Sequence, residues 1–127
     1  MKVTILGCGG AAGTPAIGCG WGNLDSKNPK NNRLRSSILV ENGDTCILVD
    51  TSPDLRQQLL NTGVERLDAV LYTHYHADHL HGIDDLRQIN RSMNAAIDMY
   101  ADVYTINTIK QRFSYVLEPL AADAKTH

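Results

Sequence analysis

Four of the five histidines in this 127-residue chain lie between positions 74 and 81, directly after the apolar run 69–73. Such a run is typical of a buried strand. Residues two apart in an extended segment point to the same side, so His74 and His76 can reach one metal ion together. Asp78 and His79 follow and can face a second, adjacent position. Imidazole and carboxylate groups are ligands of zinc and related divalent metals, so the pattern predicts a metal site where a strand ends.

A run of solvated histidines or an expression tag is the alternative interpretation of this segment. A tag would lie at a terminus and would have no strand before it. It would also lack the Tyr75, Ala77 and Asp78 that separate the histidines here. We therefore interpret the segment as metal-binding.

The patterns on both sides of the histidine segment predict alternating strands and helices. Asn42 and Gly43 favour a tight turn between two apolar runs, which predicts a hairpin. Ser52 is suited to cap a helix that has Pro53 at its first position and ends at Gly63. The predicted elements are, in order, a strand at 3–6, a loop at 7–35, strands at 37–41 and 46–50, this helix, a strand at 69–73, a helix at 84–90, a strand at 97–101 and a helix at 105–116.

The loop at 7–35 is the other unusual segment, since it holds seven of the ten glycines. Its start, residues 7–12, matches the Gly-x-Gly-x-x-Gly/Ala pattern of dinucleotide-binding loops. That function requires a helix to begin there, and Pro15 and the later glycines exclude one. The end of the loop carries a basic cluster that favours an anionic substrate. Its members are Lys27, Lys30, Arg33 and Arg35.

Composition limits the class of protein. The apolar share of 43% and charged share of 20% are those of a globular domain, and a net charge of -2 argues against a dedicated nucleic-acid binder. No apolar run reaches the roughly 18–20 residues that cross a membrane, and the start does not read as a secretory signal, so a cytoplasmic protein is expected. Cys8 and Cys46 are expected to be small buried residues, and no structural zinc is expected at Cys19.

The order His74-Tyr75-His76-Ala77-Asp78-His79 resembles the His-x-His-x-Asp-His motif of the metallo-β-lactamase superfamily. Thr73 before the motif, Gly82 after it and Asp50 at the end of an earlier strand agree with this resemblance. The glycine-rich opening at 7–15 is similar to the branch that contains the phosphoribosyl cyclic phosphate phosphodiesterase. The resemblance implies an α+β fold, the αββα sandwich, with two metal ions at the edge where the strands end.

The resemblance also implies a role for each motif residue. His74 and His76 would hold one ion, and Asp78 and His79 a second, with zinc as the expected metal and manganese as the alternative. Two such ions lower the pKa of a shared water and provide hydroxide near neutral pH, which Asp78 would orient as the catalytic residue. Asp50 is expected to support the metal-binding loop from behind. The predicted reaction is hydrolysis of a small, cyclic phosphodiester, and hydrolysis of a thioester or lactone is an alternative.

Three residues after the motif are candidates for contacts with the substrate or with the metal ligands: His81, Asp84 and Arg87. For His81, the sequence is equally consistent with an ordinary polar position on the surface. For Arg87, an ion pair with Asp84 or Asp85 is favoured over a contact with phosphate.

The motif supplies only part of the site that the resemblance implies. Two more histidines and a bridging aspartate are expected further along, and His127 is the only histidine after His81. Residues 1–127 are therefore predicted to form the N-terminal half of the sandwich domain, truncated at the C-terminus. A catalytically inactive metal-binding remnant is a further alternative function. Half a sandwich also leaves an apolar sheet face, which a second copy of the chain would cover as a homo-oligomer.

Overall fold

The computed structural model describes residues 1–118, and His127 lies outside this range. Within it, five strands form one sheet in the order β1-β2-β3-β4-β5. The strands are β1 Lys2–Gly7, β2 Ser37–Asn42, β3 Thr45–Val49, β4 Ala69–Leu71 and β5 Asp98–Tyr100. The α-helices are α1 Leu55–Thr62, α2 Ala77–Leu80, α3 Leu86–Met93 and α4 Val103–Arg112. Short 3-10 turns lie at Pro29–Asn31, Ile83–Asp85 and Ser114–Val116.

The sheet is mixed, and its topology brings four strand ends to one edge. β1, β2 and β3 are antiparallel neighbours, whereas β3, β4 and β5 run parallel to one another. Parallel neighbours need crossover connections, and helices supply them here. The carboxyl ends of β1, β3, β4 and β5 consequently lie at the same edge of the sheet. The histidine segment follows β4 at this edge, and Asp50 follows β3.

The two faces of the sheet have different surroundings. On one face, leucines such as Leu39 and Leu48 pack with the helices in a core that also contains Leu55, Val70, Leu80, Ile83 and Ile109. The other face carries a paired row of apolar and aromatic side chains across all five strands, namely Ile5, Ile38, Val49, Leu71 and Tyr100. In residues 1–118 no second sheet covers this row, and Ile5 is 67% exposed. The structure thus contains one sheet and one helical layer of the predicted sandwich.

Most predicted elements are confirmed, but several details differ. The strand predicted at 69–73 ends at Leu71, and the helix predicted at 84–90 begins at Leu86 and ends at Met93. The helix predicted to start at Pro53 begins at Leu55, with Asp54 as its N-cap residue. The buried Ser52 hydroxyl still accepts a hydrogen bond from the Asp54 amide at 3.1 Å, as expected of a cap, and donates to Gln58 Oε1. The final predicted helix ends earlier, at Arg112, and a separate 3-10 turn follows it. Cys8 is exposed, whereas a buried position was expected.

No helix lies between β1 and the 3-10 turn at Pro29–Asn31 in the glycine-rich loop. The expectation that no helix begins in this loop is therefore confirmed. Hydrogen bonds within the loop and to α1 hold the loop in place. The amide of Gly9 donates to the Leu34 carbonyl at 2.7 Å. Arg35 donates from its amide and its guanidinium to the carboxylate of Asp54 at 2.7–2.9 Å. The end of the loop is therefore fixed to the first turn of α1.

We expect Arg35→Gln to lower the free energy of unfolding at pH 7 by about 1–2 kcal/mol, since it removes charge-assisted hydrogen bonds from a largely buried pair. The hydrogen bonds from Arg35 hold the pKa of the Asp54 carboxyl below its ordinary value. Stability from this shift is present above the unfolded pKa of about 4 and is lost as the pH falls through the folded pKa. Urea unfolding at pH 7 and at pH values below about 4 should therefore show the variant and the parent converging in acid.

Lys2→Gln is the matched control for this prediction. It removes a charge from the exposed pair that Lys2 forms with Glu41 at 2.7 Å. Exposed pairs of this kind contribute little, so the unfolding free energy should change by less than about 1 kcal/mol. An equal loss in both variants, or a loss for Arg35→Gln that does not depend on pH, would contradict the argument.

Candidate metal centre

The histidine segment leaves β4 as an extended stretch and then turns into the short helix α2. His74 and His76 lie on the extended stretch, and Asp78 and His79 lie on α2. The extended backbone of His76, with ψ at 151°, ends the stretch immediately before the helix. His74, Asp78 and His79 are half-buried, and His76 is exposed. The arrangement leaves the cluster open to solvent at the sheet edge.

The structure brings the four predicted ligands together as two pairs. His74 Nε2 lies 3.1 Å from His76 Nδ1, and His79 Nε2 lies 3.3 Å from Asp78 Oδ2. Two ligand atoms bound to one tetrahedral zinc ion, each at about 2.0–2.1 Å, are separated by about 3.3 Å. The rings of His74 and His79 are 4.1 Å apart, centroid to centroid, so the two pairs are neighbours. The donor types and the spacing of each pair fit a divalent ion.

Each pair supplies two ligands and no more. Within residues 1–118, no three side chains of His, Cys, Asp or Glu converge on one position where they could hold an ion. A tetrahedral ion on either pair would complete its coordination with water or with groups outside these residues. Pairs of two ligands bind metals more weakly than closed sites of four.

Asp50 lies behind the cluster and connects its two halves. Its buried carboxylate accepts hydrogen bonds from the Thr73 amide and hydroxyl, each at 2.8 Å, and lies 2.7 Å from His79 Nδ1. Its backbone is left-handed, with φ at 63°, a conformation that Asp and Asn tolerate better than most residues. A carboxylate only accepts, so His79 donates its Nδ1 proton and keeps the Nε2 lone pair for a metal.

The same network assigns the ring orientation of His74. The Thr73 hydroxyl has one proton, which it donates to Asp50. It therefore accepts from His74 Nδ1, which lies 3.0 Å away. His74 then also keeps its Nε2 lone pair, on the side that faces His76.

A second set of hydrogen bonds, centred on the fully buried Thr51, holds α2 in place. A four-residue helix is too short to be stable alone. The Thr51 amide donates to the His79 carbonyl at 2.8 Å, and its hydroxyl donates to the Leu80 carbonyl at 2.9 Å. The Gly82 amide donates to the Thr51 carbonyl, and the Tyr72 hydroxyl lies 3.1 Å from the Thr51 hydroxyl. Burial raises the pKa of Tyr72, which keeps this phenol protonated.

Sequence reasoning did not find Thr51 and Tyr72, although both adjoin predicted residues. Thr51 directly follows Asp50, and Tyr72 lies two residues before His74, within the strand predicted at 69–73. Their partners are at least 21 positions away in the chain, so no local spacing reports them. The one local signal was the position of Thr51 directly after the strand predicted at 46–50.

The candidates after the motif have structural partners of their own. His81 is exposed, and its ring packs against Phe113 with centroids 5.5 Å apart. Asp84 accepts a hydrogen bond from the Tyr115 hydroxyl at 2.7 Å. The predicted ion pair of Arg87 with Asp84 or Asp85 is wrong, since no such pair occurs in the part of the chain that the structure describes. Tyr115 approaches Asp84 instead.

The sequence of this chain matches a known protein family and several curated proteins. The family model described as "Beta-lactamase superfamily domain" matches residues 45–127. An octanoyltransferase of Porphyromonas gingivalis is 40% identical over 117 residues, which is 91% of this chain and 23% of that protein. A ribonuclease Z of Bradyrhizobium sp. is 34% identical over 95 residues, or 73% of this chain and 30% of that protein.

Solved structures agree with the fold. A diphosphatase from the PhnP family superposes with a TM-score of 0.84 at 39% identity, covering 91% of this chain and 46% of that one. Zinc-bound PqqB from Methylobacterium extorquens superposes with a TM-score of 0.67 at 26% identity. The match covers 97% of this chain and 44% of that one. The chain thus spans less than half the length of each of these four proteins. No helix within residues 1–118 has the length and apolar character to cross a membrane.

Proposed function

The chain belongs to the metallo-β-lactamase superfamily, and we propose that it carries the first metal-binding motif of a metal-dependent hydrolase of small phosphodiesters. The observation that carries this proposal is the pairing of four ligand side chains at the edge where the parallel strands end. The similarity to a diphosphatase structure supports hydrolysis at a phosphorus atom over the other bonds that the superfamily hydrolyses.

Each side chain has a distinct task in this proposal. His74 and His76 would hold one divalent ion, and Asp78 and His79 would hold a second. Zinc is the favoured ion, with manganese as the alternative, and a zinc-bound relative supports that choice. Bound ions supply Lewis-acid polarisation of a phosphoryl group and lower the pKa of water. The second carboxylate oxygen of Asp78 would accept a hydrogen bond from the attacking water and so fix its direction.

Other functions differ in what they would bind or hydrolyse. A thioester or lactone hydrolase would use the same ions on a carbonyl group. A non-catalytic remnant would bind metal and turn over no substrate. The expectation that nucleic acid is not a partner has no support from the comparisons, because one relative is named as a ribonuclease.

The test is zinc binding and hydrolysis of bis(p-nitrophenyl) phosphate by the full chain, with zinc or manganese added. We expect His76→Ala and Asp78→Asn each to weaken the affinity for one ion by about 100-fold or more, since each removes a direct ligand. Turnover should fall with metal occupancy. Asp98→Asn is the matched control, because Asp98 lies at the opposite end of the sheet from the ligands, and we expect it to bind and turn over like the parent.

The outcomes separate the candidate functions. Zinc binding that both motif variants leave intact would disprove the metal site. Metal binding with hydrolysis of a thioester and none of the phosphodiester would identify the carbonyl alternative. Metal binding without turnover of either substrate would identify this chain as the remnant.

A further inference from the structure

A cleft separate from the candidate metal centre lies next to the carboxyl end of β1. In the sheet, β1 is three strands away from β4. The cleft has a volume of about 430 Å³ and lies between the end of β1, the 3-10 turn at Pro29–Asn31 and the exposed side of α1. Neighbouring strands are about 4.8 Å apart, so the cleft and the candidate metal centre are separated by about 14 Å. A cleft of this volume is within the range that holds small ligands. None of the proposed metal ligands lines it.

The cleft is cationic, although the chain as a whole has a net charge of -2. Lys30 and Arg33 line it, and no acidic side chain does. Within residues 1–118 neither residue forms an ion pair. Arg35, by contrast, is neutralised by Asp54. Of the basic cluster in the sequence, these two charges are therefore the ones that a concave surface presents to a ligand.

Arg33 is held in position by Cys8 and Thr14. Its Nη1 donates to Cys8 Sγ at 2.9 Å, and its amide and carbonyl pair with the carbonyl and amide of Thr14 at 2.8 and 2.9 Å. The backbone pair fixes the main chain of Arg33, and the contact with Cys8 restricts its guanidinium. A pre-positioned guanidinium loses less entropy when it binds a planar or tetrahedral oxyanion.

Amide groups from α1 complete the opposite wall. Gln57 donates from Nε2 to Asn61 Oδ1 at 2.7 Å, and both residues line the cleft. This bond orients the Asn61 side chain so that its own Nδ2 protons remain for a ligand. Two cations on one wall and amide donors on the other match the acceptor oxygens of a phosphate group.

We propose that this cleft binds the phosphate group of a phosphorylated small molecule, at a site separate from the candidate metal centre. Arg33 would provide the principal charge-assisted hydrogen bonds, and Lys30 a second charge. The proposal does not depend on metal binding, and the test is made on metal-free protein for that reason.

The test is a titration of the metal-free full chain with inorganic phosphate, followed by the backbone amide signals in nuclear magnetic resonance. We expect saturable shifts confined to residues 7–8, 29–34 and 57–61, which form the two walls of the cleft. Arg33→Gln and Lys30→Gln should each raise the dissociation constant about tenfold, which is the loss expected for one charge-assisted hydrogen bond. Lys27→Gln removes the same charge from the same loop, but Lys27 does not line the cleft, so its affinity should equal that of the parent.

Titrations with adenosine 5′-monophosphate and with adenosine test whether the cleft prefers a phosphorylated organic molecule or free inorganic phosphate. Tighter binding of the monophosphate than of inorganic phosphate would indicate a phosphorylated organic ligand, and equal binding would indicate the free ion. Adenosine alone should not bind. Phosphate should also slow alkylation of Cys8 by iodoacetamide while the exposed Cys19 reacts as before. Non-saturable shifts, or equal losses in Lys27→Gln and Arg33→Gln, would overturn the proposal.

Discussion

Replacing Gly82 with alanine is expected to lower the free energy of unfolding by about 3 kcal/mol or more. A Cβ atom on Gly82 would lie 2.0 Å from the Ser52 carbonyl oxygen and 2.9 Å from its carbon. Both atoms are backbone, so neither can rotate away. The hydrogen bond from the Gly82 amide to the Thr51 carbonyl, at 2.9 Å, keeps the two segments at this separation. Urea unfolding at neutral pH measures the loss.

The consequence reaches the candidate metal centre, because the same contact positions α2. If residues 51 and 52 are pushed away from Gly82, the bonds from Thr51 to the carbonyls of His79 and Leu80 lengthen. We therefore expect zinc affinity to fall together with stability. Gly10→Ala is the matched control, since a Cβ there meets nothing within 4 Å. It should change the unfolding free energy by less than about 1 kcal/mol, in either direction. Equal stability of the two variants would show that the close approach at Gly82 is relaxed in solution.

The proximity of the side chains in the histidine segment could be predicted from the sequence because its information is local. The spacing of His74, His76, Asp78 and His79 specifies which side chains share a side, whatever the rest of the chain does. A strand that precedes the segment and a glycine that follows it are equally local signals. The structure brings these side chains together in two pairs, as their spacing predicts, and their binding of a metal ion stays a prediction.

The supporting contacts could not be predicted, because they join residues far apart in the chain. Arg35 was placed in a basic cluster facing an anionic substrate, and the structure pairs it with Asp54 instead. Ser52 is a contrasting case, since its hydroxyl accepts from the Asp54 amide, as the sequence predicts for a helix cap, and also donates to Gln58 Oε1. For Arg35 a tertiary partner outcompeted the local interpretation, which is the usual limit of arguments from local sequence.

The uncovered apolar face illustrates a different limit. Every second side chain of a strand lies on the same face, and the register of the five strands aligns the row from Ile5 to Tyr100. Alternation does not specify what packs on that face. The homo-oligomer suggested by the sequence therefore stays a prediction, which sedimentation of the full chain would test.

Asp50→Asn is the second substitution with a large expected effect, and it should weaken zinc binding by about 10- to 100-fold. The Asp50 carboxylate accepts from the Thr73 amide, the Thr73 hydroxyl and His79 Nδ1. An asparagine has one acceptor oxygen and must turn its NH₂ group toward one of these donors. That leaves a buried donor without a partner, at about 1–3 kcal/mol, and releases the ring of His79. Competition with a chromogenic chelator measures the affinity.

Backbone strain is the competing explanation for Asp50, because its φ of 63° is left-handed. Asparagine tolerates this conformation as well as aspartate does, so Asp50→Asn changes the hydrogen bonds and leaves the strain as it was. Asp50→Gly removes the side chain and also relieves any strain. If the carboxylate positions His79, the glycine variant should bind zinc as weakly as the asparagine variant, or more weakly. If glycine restores the affinity of the parent, Asp50 acts through its backbone and the proposed support of His79 is wrong.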